Sequence, residues 1–122
     1  MIRFVDRPLV YLAGPYTNPD PSVNVNNTIH AAERLQATGL VTCFIPHLTH
    51  LWHVVAPHED VEHWYEYDLA TLSRCDALFR LPGKSSGADA ECDFATDRSI
   101  PIFANEAHLL GWAWCQLPAP AL

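Results

Sequence analysis

Short apolar runs alternate along the chain with stretches of helical periodicity, and most runs are closed by Gly or Pro. Residues 8–14 (PLVYLAG) form the first run, stopped at Gly14-Pro15, and residues 40–45 (LVTCFI) the second, stopped at Pro46; both predict buried strands. Between them lies the loop 16–21 (YTNPDP). Ser22 or Asn24 is then placed to cap a helix reaching about residue 37, with Ile29, Ala32 and Leu35 or Gln36 inward and Gly39 closing it. Residues 59–74 carry Val61, Tyr65, Leu69 and Leu72 on one stripe and predict a second helix. A third strand over 76–81, a helix over 88–98 and a fourth strand over 100–104 (IPIFA) follow. Asn105 is placed to cap a last helix to about residue 116, ended by Pro118 and Pro120. The alternation predicts one α/β domain over 1–122: a three-layer sandwich with a parallel sheet of four or five strands and helices on both faces. Ligands of such sheets bind beyond the carboxyl ends of the strands. Residues 11–15, the loop after Pro46 and residues 83–87 all fall at that edge.

The stretch 81–91 (LPGKSSGADAE) runs from the third strand into the next helix, so it predicts a turn whose free backbone N–H groups can hold an anion. Glu91 sits about one turn inside that helix, and the N-terminal tilt of helical side chains directs its carboxylate back toward the turn. An anion site and an acid would then share one pocket. The same residues also suit an ordinary capping box from Ser86 to Asp89, with Glu91 solvated. Asp68 interrupts the apolar stripe of the 59–74 helix, three residues after Tyr65 and four before Leu72. Ionising a carboxyl there is costly unless donors surround it, so Asp68 is either a satisfied structural acid or a functional one.

Composition narrows the partners. The chain is 49% hydrophobic and 17% charged, as expected of a globular protein. A formal charge of −7 with only seven Lys and Arg argues against a broad nucleic-acid surface. An anionic small molecule would be held by local N–H groups instead. Cys43, Cys75, Cys92 and Cys115 show no CxxC spacing, and no basic lead precedes an apolar secretory core; the expectation is a cytoplasmic protein with reduced thiols. No apolar run approaches the roughly 20 residues of a membrane span. His47, His50, His53 and His58, with Trp52 among them and His63 after, suggest a metal site only if the segment is helical. No Cys or acidic ligand is interleaved at metal-ligand spacing. The segment instead predicts an active-site loop whose imidazoles and Trp52 stack on or hydrogen-bond a ligand. Trp112 and Trp114, with Leu109 and Leu110, give the last helix apolar surface on more than one side, which suits core packing and a dimer contact.

The runs VYLAGP (10–15), DLA (68–70) leading to CDA (75–77), SSGADAE (85–91) and IPIF (100–103) resemble, in this order, the nucleoside 2-deoxyribosyltransferase superfamily. Within it they are most similar to the 2'-deoxynucleoside 5'-monophosphate N-glycosidases. The resemblance spans nearly the whole chain and implies a flavodoxin-like (Rossmann-like), usually dimeric fold with a nucleoside or nucleotide as substrate. It implies Glu91 as nucleophile, Asp68 as the second acid near the sugar and leaving base, and Tyr11 as the tyrosine that orients the carboxylate. Gly14, Pro15, His47, Ser85, Ser86, Gly87 and Asp89 would contact the substrate, and no metal or organic cofactor is required. The residue six before the nucleophile is an aspartate in the transferases and a serine in the monophosphate hydrolases. Here it is Ser85, a neutral donor that suits a phosphate. The histidine segment has no clear counterpart in the family, and Asp89 adds a negative charge two residues before Glu91. A phosphoribohydrolase is a poorer match, because Pro82-Gly83-Lys84 lacks the second glycine of its turn. The expected activity is hydrolysis of an N-glycosidic bond, with base exchange or a silent nucleotide-binding module as alternatives.

Overall fold

Successive side chains of β1 (Leu9–Ala13) face opposite ways, and all but Leu9 are buried, as a central strand covered on both faces requires. The computed structural model describes residues 3–118, so Pro120 and its neighbours in the tail lie outside the described residues. β1 pairs in parallel with β2 (Thr42–Phe44) on one side and β3 (Ala77–Arg80) on the other, and β3 pairs with β4 (Ile102–Phe103). The strand order β2-β1-β3-β4 is that of a flavodoxin-like sheet. Among the described residues five α-helices accompany the sheet: α1 (Pro21–Ala37), α2 (Thr49–Val55), α3 (Val61–Leu72), α4 (Ser86–Asp97) and α5 (Glu106–Cys115).

The alternation along β1 divides the core. Val10 and Leu12 pack with Ala31 and Leu35 of α1 and with Leu109 and Ala113 of α5. Tyr11 and Ala13 pack with Leu72 of α3 and with Ala88 and Ala95 of α4. One face of the sheet is therefore covered by α1 and α5 and the other by α3 and α4, giving three layers. Tyr11 belongs to the α4 face, which decides its role below.

Several local expectations are corrected. Asp20, not Ser22 or Asn24, caps α1: its carboxylate accepts from the Ser22 N–H at 2.8 Å, and Pro21 occupies the first helical position, where no donor is needed. Asn24 is buried instead, donating to the Tyr16 and Asn18 carbonyls at 2.9 Å each. Thr28 is buried with its hydroxyl on the Asn24 carbonyl, so the inner face of α1 is turned toward these polar residues and Ile29 is exposed. Apolar periodicity could not show this, because internal hydrogen bonds replace the water that Asn and Thr would otherwise need.

Pro46 opens a 3-10 turn (Pro46–Leu48) that leads straight into α2, so the expected loop is mostly helical. Ser85 rather than Ser86 caps α4, its Oγ accepting from the Ala88 N–H at 3.1 Å. Val61 projects into solvent at the first turn of α3, leaving Leu72 as the fully buried member of its stripe. β4 is shorter than 100–104: Pro101 has no N–H to give and meets the ladder only through its carbonyl, which accepts from the Leu78 N–H at 2.9 Å. Asn105 does cap α5, accepting from the His108 N–H at 3.0 Å.

Candidate functional site

At the carboxyl edge of the sheet the three expected stretches border one cavity of about 640 Å³. Gly14 and Pro15 enter from the end of β1, and His47, Thr49 and His53 from the segment after β2. Trp64, Tyr65 and Asp68 come from α3, and Lys84, Ser85, Ser86, Gly87 and Glu91 from the α4 turn and helix. Two glycines let the turns after β1 and β3 close on each other. A Cβ on Gly14 would stand 2.9 Å from Leu81 Cβ, and one on Gly83, whose φ is +115°, would stand 2.8 Å from Pro15 Cγ.

Glu91 lies between Ala88 and Ala95 on the buried stripe of α4, only 8% exposed. The stripe faces the sheet, where Tyr11 is fully buried, and the Tyr11 hydroxyl donates to Glu91 Oε2. Burial raises the Glu91 carboxyl, the Tyr11 hydrogen bond and the Arg80 guanidinium oppose that rise, and the balance leaves it at about 7. Burial beside Glu91 raises the Tyr11 phenol far above its ordinary range, so it remains a donor at every working pH. Across the cavity, burial first and the Glu91 charge second push the Asp68 carboxyl up to about 8. Asp68 Oδ1 is buried without a partner among the described residues, a setting that favours the neutral acid. Tyr11 donates to the Glu91 carboxylate while Asp68 Oδ1 has no donor among the described residues, so when the pair carries one proton it is favoured on Asp68.

The α4 turn supplies donors. Ala88 and Asp89 N–H groups are satisfied by the Ser85 side chain and carbonyl, whereas those of Ser86 and Gly87 have no partner among the described residues. Lys84 stands beside them on the cavity wall. Ser85 thus caps the helix and lines the cavity at once. Asp89 does not line the cavity; its side chain is largely exposed and pairs with Arg80 at 3.1 Å, so its charge is drawn away from the ligand space.

His47 is 4% exposed, and its Nε2 donates to the Pro15 carbonyl at 2.9 Å while Nδ1 is buried without a partner among the described residues. Burial lowers its pKa, so the ring is neutral near pH 7 and pins the turn after β1. Tyr16 Oη lies 2.5 Å from His50 Nδ1, a second tie between the same two segments. Trp52 is half-exposed and lies outside the cavity, whereas Trp64, which no sequence signal singled out, lines it. Its spacing of four residues before Asp68 was the available clue, since i and i+4 share a helix face. No group of three His, Cys, Asp or Glu side chains among the described residues could hold a metal ion. No helix among them is long and apolar enough to cross a membrane, and all four cysteines are free.

Residues 8–104 match the family described as "Domain of unknown function (DUF4406)", which takes in all four strands and every cavity residue named above. No curated protein matches the chain.

Proposed function

We propose that this chain, which belongs to the DUF4406 family, is a hydrolase of the N-glycosidic bond of a nucleoside or 2'-deoxynucleoside 5'-monophosphate. The observation that carries the proposal is a pair of carboxyls in one cavity, the buried Glu91 raised to about 7 and Tyr11-bound, the half-buried Asp68 raised to about 8. Retaining glycosidases need this division between a nucleophile and an acid.

Glu91 attacks C1' of the sugar as the C1'–N bond breaks, and Asp68 gives its proton to the departing base nitrogen. The carboxylate stabilises the oxocarbenium character of the sugar and traps it as a glycosyl-enzyme. Water then attacks C1', Asp68 takes its proton, and Glu91 is released. Base plus sugar phosphate result from substrate plus one water. The Ser86 and Gly87 N–H groups, Ser85 and Lys84 support the 5'-phosphate at the start of α4, where the helix dipole favours an anion. No residue in this scheme requires a cofactor.

The same proposal includes a homodimer, for which the exposed Trp114 indole on α5 is the supporting feature, and a reducing compartment such as the cytoplasm, which four free thiols suit. Incubation with matched nucleosides and 5'-monophosphates, with and without a second free base, tests the reaction. Release of free base and sugar phosphate is expected; base exchange exceeding hydrolysis would make it a transferase, and binding without release a silent module.

A further inference from the structure

Trp64 is the centre of an aromatic cluster that joins α2 to α3. Its ring meets those of Trp52, His53, His58, His63 and Tyr67 at centroid distances of 4.6–6.1 Å, all near-perpendicular, so none of them stacks parallel on it. Its indole Nε1–H donates to His53 Nδ1 at 3.0 Å, and the His58 backbone N–H donates to the same nitrogen at 3.3 Å. Two donors on one ring nitrogen require an acceptor there, which fixes the neutral tautomer of His53 with its proton on Nε2. An indole offers a single hydrogen-bonding group, so this bond sets how Trp64 is turned. Trp64 and Asp68 are one helical turn apart on α3, both on the cavity wall.

We propose that Trp64 is the wall on which the planar base of a nucleotide stacks, and that His53 is the positioning residue that holds its indole there. The inference rests on the nucleotide reading above and extends it to the base. A group that protonates the leaving nitrogen must lie at the base edge, and the ring one turn before it on the same helix face then lies along the base plane or over it. Base–aromatic stacking tolerates any base, because every base has a π-face. Trp64 therefore supplies affinity for bases as a class, leaving the choice among them to edge contacts.

The test is equilibrium dialysis of a purine nucleoside 5'-monophosphate against Glu91→Gln protein, which removes turnover. Adding Trp64→Leu should weaken binding about ten- to a hundred-fold, and Trp64→Phe, which keeps a ring, should restore most of it. His53→Leu should weaken binding by a smaller factor, and His53→Gln, whose carbonyl can still accept from the indole, should recover it. A merely structural His53 would lower Tm in both variants and leave affinity alone. Should Trp64→Leu fail to fold, the difference in emission between proteins carrying Trp64 and Trp64→Phe must show quenching as ligand binds. Unchanged affinity in Trp64→Leu, bound nucleotide without Trp64 quenching, or no binding at all overturns the inference. Trp64-dependent binding of a monophosphate that wild type never cleaves leaves the inference standing and removes the glycosidase reading.

Discussion

Replacing Tyr11 by Phe removes one hydroxyl from a place where nothing can substitute for it. Tyr11 is fully buried, its ring stacks on Phe44 at 5.8 Å, and its Oη donates to the Glu91 carboxylate. Phe keeps the ring and the stack, so the change falls on Glu91. A hydrogen bond to a charged group contributes about 1.5 to 3 kcal/mol, and one to the neutral acid about 0.5 to 1.5 kcal/mol. The carboxylate therefore loses about 1 to 1.5 kcal/mol relative to the acid, or about one pH unit in its ionisation. The sign is upward, because the bond is among the influences that hold Glu91 down to about 7. The expected result is a rising limb of the kcat/KM profile moved up by about one pH unit, with activity below the limb reduced about ten-fold. Carbon NMR titration of labelled Glu91 should show the same displacement with no substrate present. A limb and a titration that stay in place would refute the claim that Tyr11 tunes the nucleophile.

In wild type, kcat/KM should follow a narrow bell, rising near pH 7 as Glu91 ionises and falling near pH 8 as Asp68 loses its proton, read by initial rates across pH; a flat profile over that range counts against the assigned roles. Glu91→Gln should abolish base release while Tm holds or rises, and Asp68→Asn should lower kcat more than it changes KM. Ser85→Ala should narrow the preference for a monophosphate over its nucleoside and also cost about 0.5 to 2 kcal/mol of stability, because Ser85 caps α4; Ser85→Asp, which can still cap, should narrow the preference without that loss of Tm. Both acids have folded-state values raised above ordinary carboxyls, so their contribution to stability is fully present below about pH 4 and is lost as pH rises through about 7 and about 8. His47, lowered by burial, works in the opposite sense, losing stability as pH falls. The Tm difference between wild type and the Glu91→Gln, Asp68→Asn double variant should therefore widen against wild type from pH 5 to pH 8, and a constant difference would contradict the assignment.

The architecture was legible because apolar runs and helical stripes alternate cleanly, and because the alternation of residues 10–13 in β1 leaves only one face for Tyr11. Asp68 was legible for the same reason in reverse, as a carboxyl where an apolar residue was due. Three things were hidden. Asn24 and Thr28 face the core because tertiary hydrogen bonds satisfy them, and no periodicity records that. The helical character of 46–55 was masked by Pro46, which opens a turn as readily as it ends a strand. The resemblance implies Asp89 as a substrate contact, whereas its side chain pairs with Arg80 outside the cavity lining, a pairing that sequence separation does not record.

The close contacts of Gly14 with Leu81 and of Gly83 with Pro15 divide this cavity into halves of different adaptability. On the side of β1 and β3 the lining is main chain against side chain with no room for one methyl group, so the distance from the α4 turn to the end of β1 is not adjustable by single substitutions. On the side of α2 and α3 the lining is side chains, among them the rings of His53, Trp64 and Tyr65, which differ in size and polarity from one residue type to the next. Retuning which ligand is accepted, whether by selection or by design, therefore begins among His53, Trp64 and Tyr65, while the half formed by the turns after β1 and β3 changes only when both turns change together.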